Sequence, residues 1–170
     1  MRHFKNYILP VSLILILSFS RIIPHPWNFT PVLAVGIFSG FYFKQFFISF
    51  FIVILSMFLG DLYLGFHSTM FFTYISLAVA VGCGLYIKNF KFNEILWSGL
   101  ASSVGFFLVT NFGSWITLDL YEKNLVGLMN AYVMAIPFFH NTLISTLLYL
   151  ILLKVIFDTV LNKNNLLKKI

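Results

Sequence analysis

Charge is what this sequence lacks most. Of its 170 residues only 9% are Asp, Glu, Lys or Arg, and only five are acidic. Soluble domains carry roughly 25% charged residues, so a water-soluble enzyme or binding domain is excluded. Cysteine is nearly missing as well. The single Cys83 lies inside an apolar run, which leaves no disulfide framework and no paired-cysteine metal site; it reads as a small packing residue. Catalytic signatures are absent too: there is no GxSxG elbow, no HExxH, no glycine-rich phosphate loop and no second carboxylate near Asp61. The chain therefore reads as a non-enzyme, and uphill transport by it would need a partner or an ion gradient. Proline is scarce, yet three of the five prolines stand within Arg21-Ile-Ile-Pro24-His25-Pro26-Trp27-Asn28-Phe29-Thr30-Pro31. Proline fixes φ and drives its predecessor out of the helical region, so this stretch is a rigid, polar, non-helical segment between two apolar runs.

What is present is apolar residue in long blocks, 60% of the chain. Runs of about 20 apolar residues are membrane spans. The pattern predicts an all-α membrane protein, a single domain over residues 1–170, with six transmembrane helices at about 7–23, 31–43, 46–64, 70–87, 95–117 and 138–157. A short outer-surface helix is expected over Leu125–Ile136, too short to span and ended by Pro137. The first run follows Arg2 and Lys5 and could also be a cleaved signal peptide, with Ser18-Phe19-Ser20 as the cleavage site; retention completes an even helix count. The second run is unusually short, thirteen residues over Pro31–Phe43.

The basic residues sort by side. Arg2, Lys5, Lys44, Lys88, Lys91, Lys154, Lys163, Lys168 and Lys169 fall on one side, and only Arg21 and Lys123 on the other. That asymmetry predicts cytoplasmic N and C termini and a multi-pass protein of the bacterial inner membrane. It also accounts for the net charge of +6 without nucleic acid, so the expected surroundings are membrane lipid.

Counting along the spans at 1.5 Å per residue puts Arg21, Asp61, Asn111 and His140 all roughly 21–23 Å from the cytoplasmic boundary. His25, Trp27, Asn28 and His67 lie in loops at or just above that level. Ionisable groups at membrane depth are costly, and they face a cavity or one another. The candidate substrate-binding residues are therefore Arg21, His25, Trp27, Asn28, Asp61, His67, Asn111, Trp115, His140 and Asn141. Arg21 and Asp61 could equally pair and pin two helix ends. Trp27, Trp97 and Trp115 are by default interfacial anchors. His25, His67 and His140 with Asp61 offer nitrogen and oxygen donors, but no two histidines share an i,i+4 face, so no metal or other cofactor is expected. Small residues four apart let membrane helices approach closely. Gly36, Gly40, Ala80 and Gly84 are the candidates for docking a partner subunit, with packing inside the chain as the plainer reading.

Four ordered motifs carry a resemblance: Arg21 to Pro31, Gly60-Asp61-x-x-x-Gly65-Phe66-His67-Ser68-Thr69, Thr110-Asn111-Phe112-Gly113-x-Trp115, and Ala135-Ile136-Pro137-Phe138-Phe139-His140-Asn141-Thr142. They resemble an uncharacterised bacterial six-helix membrane family, itself similar to the substrate-binding (S) subunits of energy-coupling factor (ECF) transporters. The resemblance runs from about residue 21 to 149. It implies capture of a vitamin or other small micronutrient near the outer face, powered by a separate transmembrane coupling subunit and ATPase subunits. One departure is that the first helix has no alanine-rich docking motif. Two other readings of the residues stand beside this one: a structural or assembly subunit without a ligand, and an intramembrane enzyme using Asp61 with a histidine.

Overall fold

The computed structural model describes Ile8, Val11, Ser12, Leu15, Ile16 and residues 19–162. Most of the first expected span and the basic tail Lys163–Lys169 lie outside the described residues, and with them the two termini. Among the described residues there are no strands. A short 3₁₀ turn over Ser20–Ile22 is followed by five α-helices: α1 (Val32–Phe43), α2 (Phe46–Leu64), α3 (Met70–Tyr86), α4 (Phe92–Thr117) and α5 (Leu125–Ile156), the last running into a π-helical turn at Phe157–Asn162. Three of them, α2, α4 and α5, are long and apolar enough to cross a membrane.

The shortest helix is the centre of the bundle. α1 is apolar on every side, and all of its residues from Val32 to Phe41 are buried. A helix hydrophobic all round belongs inside, and α1 packs on α2, α3, α4 and α5. Its contact with α3 is backbone on backbone. A Cβ on Gly40 would stand 2.2 Å from the Val81 carbonyl oxygen, and one on Gly84 would stand 2.0 Å from that of Ile37. Gly36 meets Ala80 in the same crossing, where its Cβ would lie 3.1 Å from the alanine methyl. Gly36, Gly40, Ala80 and Gly84 are all buried here, so of the two readings, partner docking and packing inside the chain, the crossing uses them for the second. Their smallness is consumed within the chain: at Gly40 and Gly84 nothing larger than hydrogen fits between α1 and α3, and at Gly36 the Ala80 methyl fills the gap.

Polar groups close the remaining seams at the lysine-rich end. Ser39 donates to the Ser49 carbonyl at 3.1 Å and Ser49 returns the bond to Ser39 at 3.0 Å, tying α1 to α2. Lys44 ends α1 in the left-handed region, at φ 54°. Its ammonium donates to the Leu85 and Ile87 carbonyls at the end of α3, a cation where the helix macrodipole is negative. Burial pushes this ammonium below its ordinary pKa, and the charge of Glu94 opposes the shift. Glu94 in turn accepts the backbone N–H groups of Lys88, Asn89 and Lys91 ahead of α4.

The expected break at Pro137 does not occur. Leu125–Ile136 is not a separate surface helix, because α5 runs through Pro137 without interruption over 32 residues. Its small residues Gly127, Ala131 and Ala135, four apart, are buried. Tyr132 donates to the Leu108 carbonyl at 2.9 Å, and its ring packs on Phe107 of α4. Proline in a helix interior costs about 3 kcal/mol. This small-residue face before the proline and the buried Thr142, Ser145 and Thr146 after it pack the helix on both sides of Pro137. At 1.5 Å per residue, α5 is about 48 Å long, more than a bilayer core of roughly 30 Å, so its first turns extend beyond the apolar layer.

Candidate functional site

Every described helix contributes to one cavity at the end of the bundle opposite Lys44, Lys88 and Lys154. Its volume is about 280 Å³, close to the lower bound of about 300 Å³ for small-molecule pockets. The wall comes from Thr30 and Val32 at the start of α1, Met57 of α2, Thr69 and Thr73 at the start of α3, the Phe106–Ser114 stretch of α4 and the Ala135–Thr142 stretch of α5. Arg21, Asn28 and His67 complete it from the loops. The short α1 is what makes room. Twelve residues rise only about 18 Å, so the helix stops at the cavity instead of filling it.

The prolyl segment above α1 is fixed by local geometry. Pro26 to Phe29 form a turn closed by the Phe29 N–H on the Pro26 carbonyl at 3.0 Å. Asn28 takes the left-handed position in it, at φ 59°, a conformation asparagine tolerates better than most residues. Asn141 of α5 donates to the Trp27 carbonyl at 2.9 Å and anchors the turn across 114 positions. The Trp27 indole itself is 80% exposed. His25 folds back on the Ile23 carbonyl at 2.6 Å and stays outside the cavity.

Arg21 is the charged group of the wall. Its guanidinium donates through Nη2 to Asp61 Oδ1 at 3.1 Å and through Nη1 to the Met57 sulfur at 3.1 Å. Asp61 is 1% exposed and receives a second bond on Oδ2 from the Tyr74 hydroxyl at 2.9 Å. Both carboxylate oxygens are thus engaged by the protein. Asp61 does not line the cavity; it holds Arg21 in place there and balances its charge. With two of five N–H bonds engaged, the guanidinium keeps donors for the cavity.

Four of the hydroxyl groups of the wall point their protons at their own helices. Thr73, Thr110, Ser114 and Thr142 each donate to the carbonyl four residues earlier, those of Thr69, Phe106, Thr110 and Phe138. Asn111 Nδ2 likewise donates to the Phe107 carbonyl at 2.7 Å. What remains at these positions is mainly acceptor capacity, the hydroxyl lone pairs and one amide oxygen, together with the second N–H of Asn111. His67 pairs through Nδ1 with the Thr69 hydroxyl at 2.9 Å, which leaves Nε2 at the mouth. Four phenylalanines, Phe106, Phe107, Phe138 and Phe139, supply the flat apolar part.

Of the ten residues expected from sequence, Arg21, Asn28, His67 and Asn111 line this cavity. Asp61 stands behind Arg21, and Asn141 holds the lip. Trp115 is spent on the α4–α5 connection, donating through Nε1 to the Glu122 carbonyl at 2.9 Å. His140 is exposed on the far side of α5 beside Phe139. Counting along the helix cannot say which face a residue takes, and rotation about the axis turns His140 away from the cavity. Tyr74, Thr30 and the helical hydroxyls escaped the sequence reading. Their signal was available in the four-residue spacing of Thr69 with Thr73 and of Thr110 with Ser114 on otherwise apolar helices. Among the described residues no group of three His, Cys, Asp or Glu side chains could hold a metal ion.

A protein-family model described as a family of unknown function, DUF6580, matches residues 2–167, and the chain belongs to that family. No curated protein and no solved structure matches it.

Proposed function

We propose that this member of the family is a substrate-capture subunit of an ECF-type importer, embedded in the bacterial inner membrane with both termini in the cytoplasm. In this reading it holds a vitamin-like or other small polar micronutrient near the outer face and hands it to a transmembrane coupling subunit driven by ATPase subunits. The observation that carries the reading is the cavity itself. It is polar, sits at the lysine-poor end, and is built from every described helix around a charge-balanced arginine. Such a cavity is expensive in a protein this apolar, since buried polar groups need partners and ionisable residues at membrane depth mark functional paths. Binding at the end of a short helix also fits the interrupted-helix sites of other transporters. Chemistry on the ligand has no support in the wall, because its one neighbouring carboxylate is fully engaged.

Native mass spectrometry of protein purified in mild detergent tests this directly. A bound small molecule at one per chain, lost in variants that fill the cavity such as Thr110→Trp, is the expected result. Ligand-free protein whose stability no metabolite raises would remove the reading. A second reading has its own observation: Tyr74, Asp61, Arg21 and Met57 form a closed network joining the prolyl segment, α2 and α3, as a purely structural staple would. Under that reading the network variants lose stability and no ligand restores it. Under the first, ligand at a hundredfold excess over Kd adds about 2.7 kcal/mol.

A further inference from the structure

The chemistry of the wall narrows what the cavity accepts. Its cationic donor is Arg21, and its acceptors are spread over the helices, three of them together on α4. Arg21 lines the wall with N–H groups beyond those bonded to Asp61 and Met57, His67 stands at the mouth, and among the described residues the wall contains no carboxylate. Asp61 stands behind Arg21 with both oxygens engaged, so an incoming anion meets the guanidinium first. The N-termini of α1 and α3 also end here, each bringing the positive end of a helix dipole. On α4, by contrast, Thr110 and Ser114 spend their protons on their own helix and offer lone pairs, and Asn111, with one N–H spent the same way, offers its amide oxygen and a second N–H. The phenylalanines between these poles suit a flat ring.

We propose that the ligand is a small aromatic or heteroaromatic monocarboxylate that also carries N–H or O–H donors. Its carboxylate faces Arg21 and its donors face Thr110, Asn111 and Ser114. The inference rests on the cavity being a ligand site, and it adds the sign and polarity of the ligand. A neutral heterocycle would leave guanidinium N–H groups unmet, and a cation would meet Arg21 first, with Asp61 behind it and both of its oxygens engaged. A volume of about 280 Å³ suits a ligand smaller than drug-sized.

The test compares 4-aminobenzoate with 4-aminobenzamide, two probes of nearly equal shape and different charge, by thermal unfolding and by calorimetric titration of the detergent-purified full chain. The acid is expected to raise the melting temperature at millimolar concentration and to bind at least about tenfold more tightly than the amide, as a charge-assisted hydrogen bond implies. In the neutralised pair Arg21→Gln with Asp61→Asn the preference should fall to near onefold. Arg21→Lys, which keeps the charge without the fork, should retain part of it. Equal binding of acid and amide overturns the monocarboxylate assignment while leaving the cavity a ligand site. Binding of neither overturns the ligand site itself. A preference for the acid that survives in the neutralised pair removes Arg21 as its source.

Discussion

Arg21 Nη2 and Asp61 Oδ1 lie 3.1 Å apart across 40 positions of sequence, and this ion pair joins the segment before the bundle's central helix to α2. The arginine side chain keeps 15% of its surface and the aspartate 1%, so the two charges differ in what they can reach. Arg21 touches both the network and the cavity, whereas Asp61 touches only the network. Removing one member is therefore not equivalent to removing both.

For that pair, Arg21→Met should cost about 3–5 kcal/mol, the usual consequence of leaving a buried charge alone. Arg21→Met combined with Asp61→Asn should recover most of the loss. Tyr74→Phe, which strips one bond from Asp61, should cost about 1–3 kcal/mol. Thermal unfolding in one detergent ranks the three. A double variant as unstable as the single would show that the ion pair does not control this corner.

At the α1–α3 crossing, Gly40→Ala and Gly84→Ala force a methyl into a carbonyl oxygen 2.2 and 2.0 Å away. Each should destabilise by about 1–3 kcal/mol or more, as overpacking does. Gly82→Ala is the control, because nothing lies within 4 Å of its added Cβ. It should be neutral or stabilising by up to about 1 kcal/mol through helix propensity. Similar melting temperatures for all three would contradict the close packing described.

Glu94 fastens the loop ahead of α4 by accepting three backbone N–H groups at 3.1–3.2 Å. Glu94→Ala should release them and cost about 1–2 kcal/mol, in the range of a lost helix cap. Hydrogen exchange at Lys88, Asn89 and Lys91 should speed up while that of α1 stays slow. Unchanged exchange at these three amides is the result that would count against it.

The proposed orientation makes a labelling prediction. In a Cys83→Ser background, Asp119→Cys should react with a membrane-impermeant maleimide added to intact cells, and Lys88→Cys should react only after lysis. Both positions are exposed at opposite ends of the bundle. The reverse pattern would place the cavity on the cytoplasmic side and undo the proposal that it captures solute from outside.

Charge scarcity and the length of the apolar runs were enough to determine an all-helical chain, and the ends of α1 and α2 were readable because Lys44, Gln45 and Gly65 interrupt apolarity sharply. Helix rise put Arg21 and Asp61 at one height with pairing as one of two readings, and the structure pairs them at 3.1 Å. Rotation was not readable. Helices that are apolar all round carry no amphipathic stripe to fix which face turns inward, so His140 and Asn111 looked alike in sequence and only Asn111 lines the cavity. The fate of Pro137 and of the small residues on α1 and α3 was likewise decided by neighbours. Proline stays in a helix when packing on both sides outweighs its missing hydrogen bond, and a glycine stripe serves whichever helix reaches it first. Those are properties of the assembled bundle, because they depend on contacts between residues tens of positions apart.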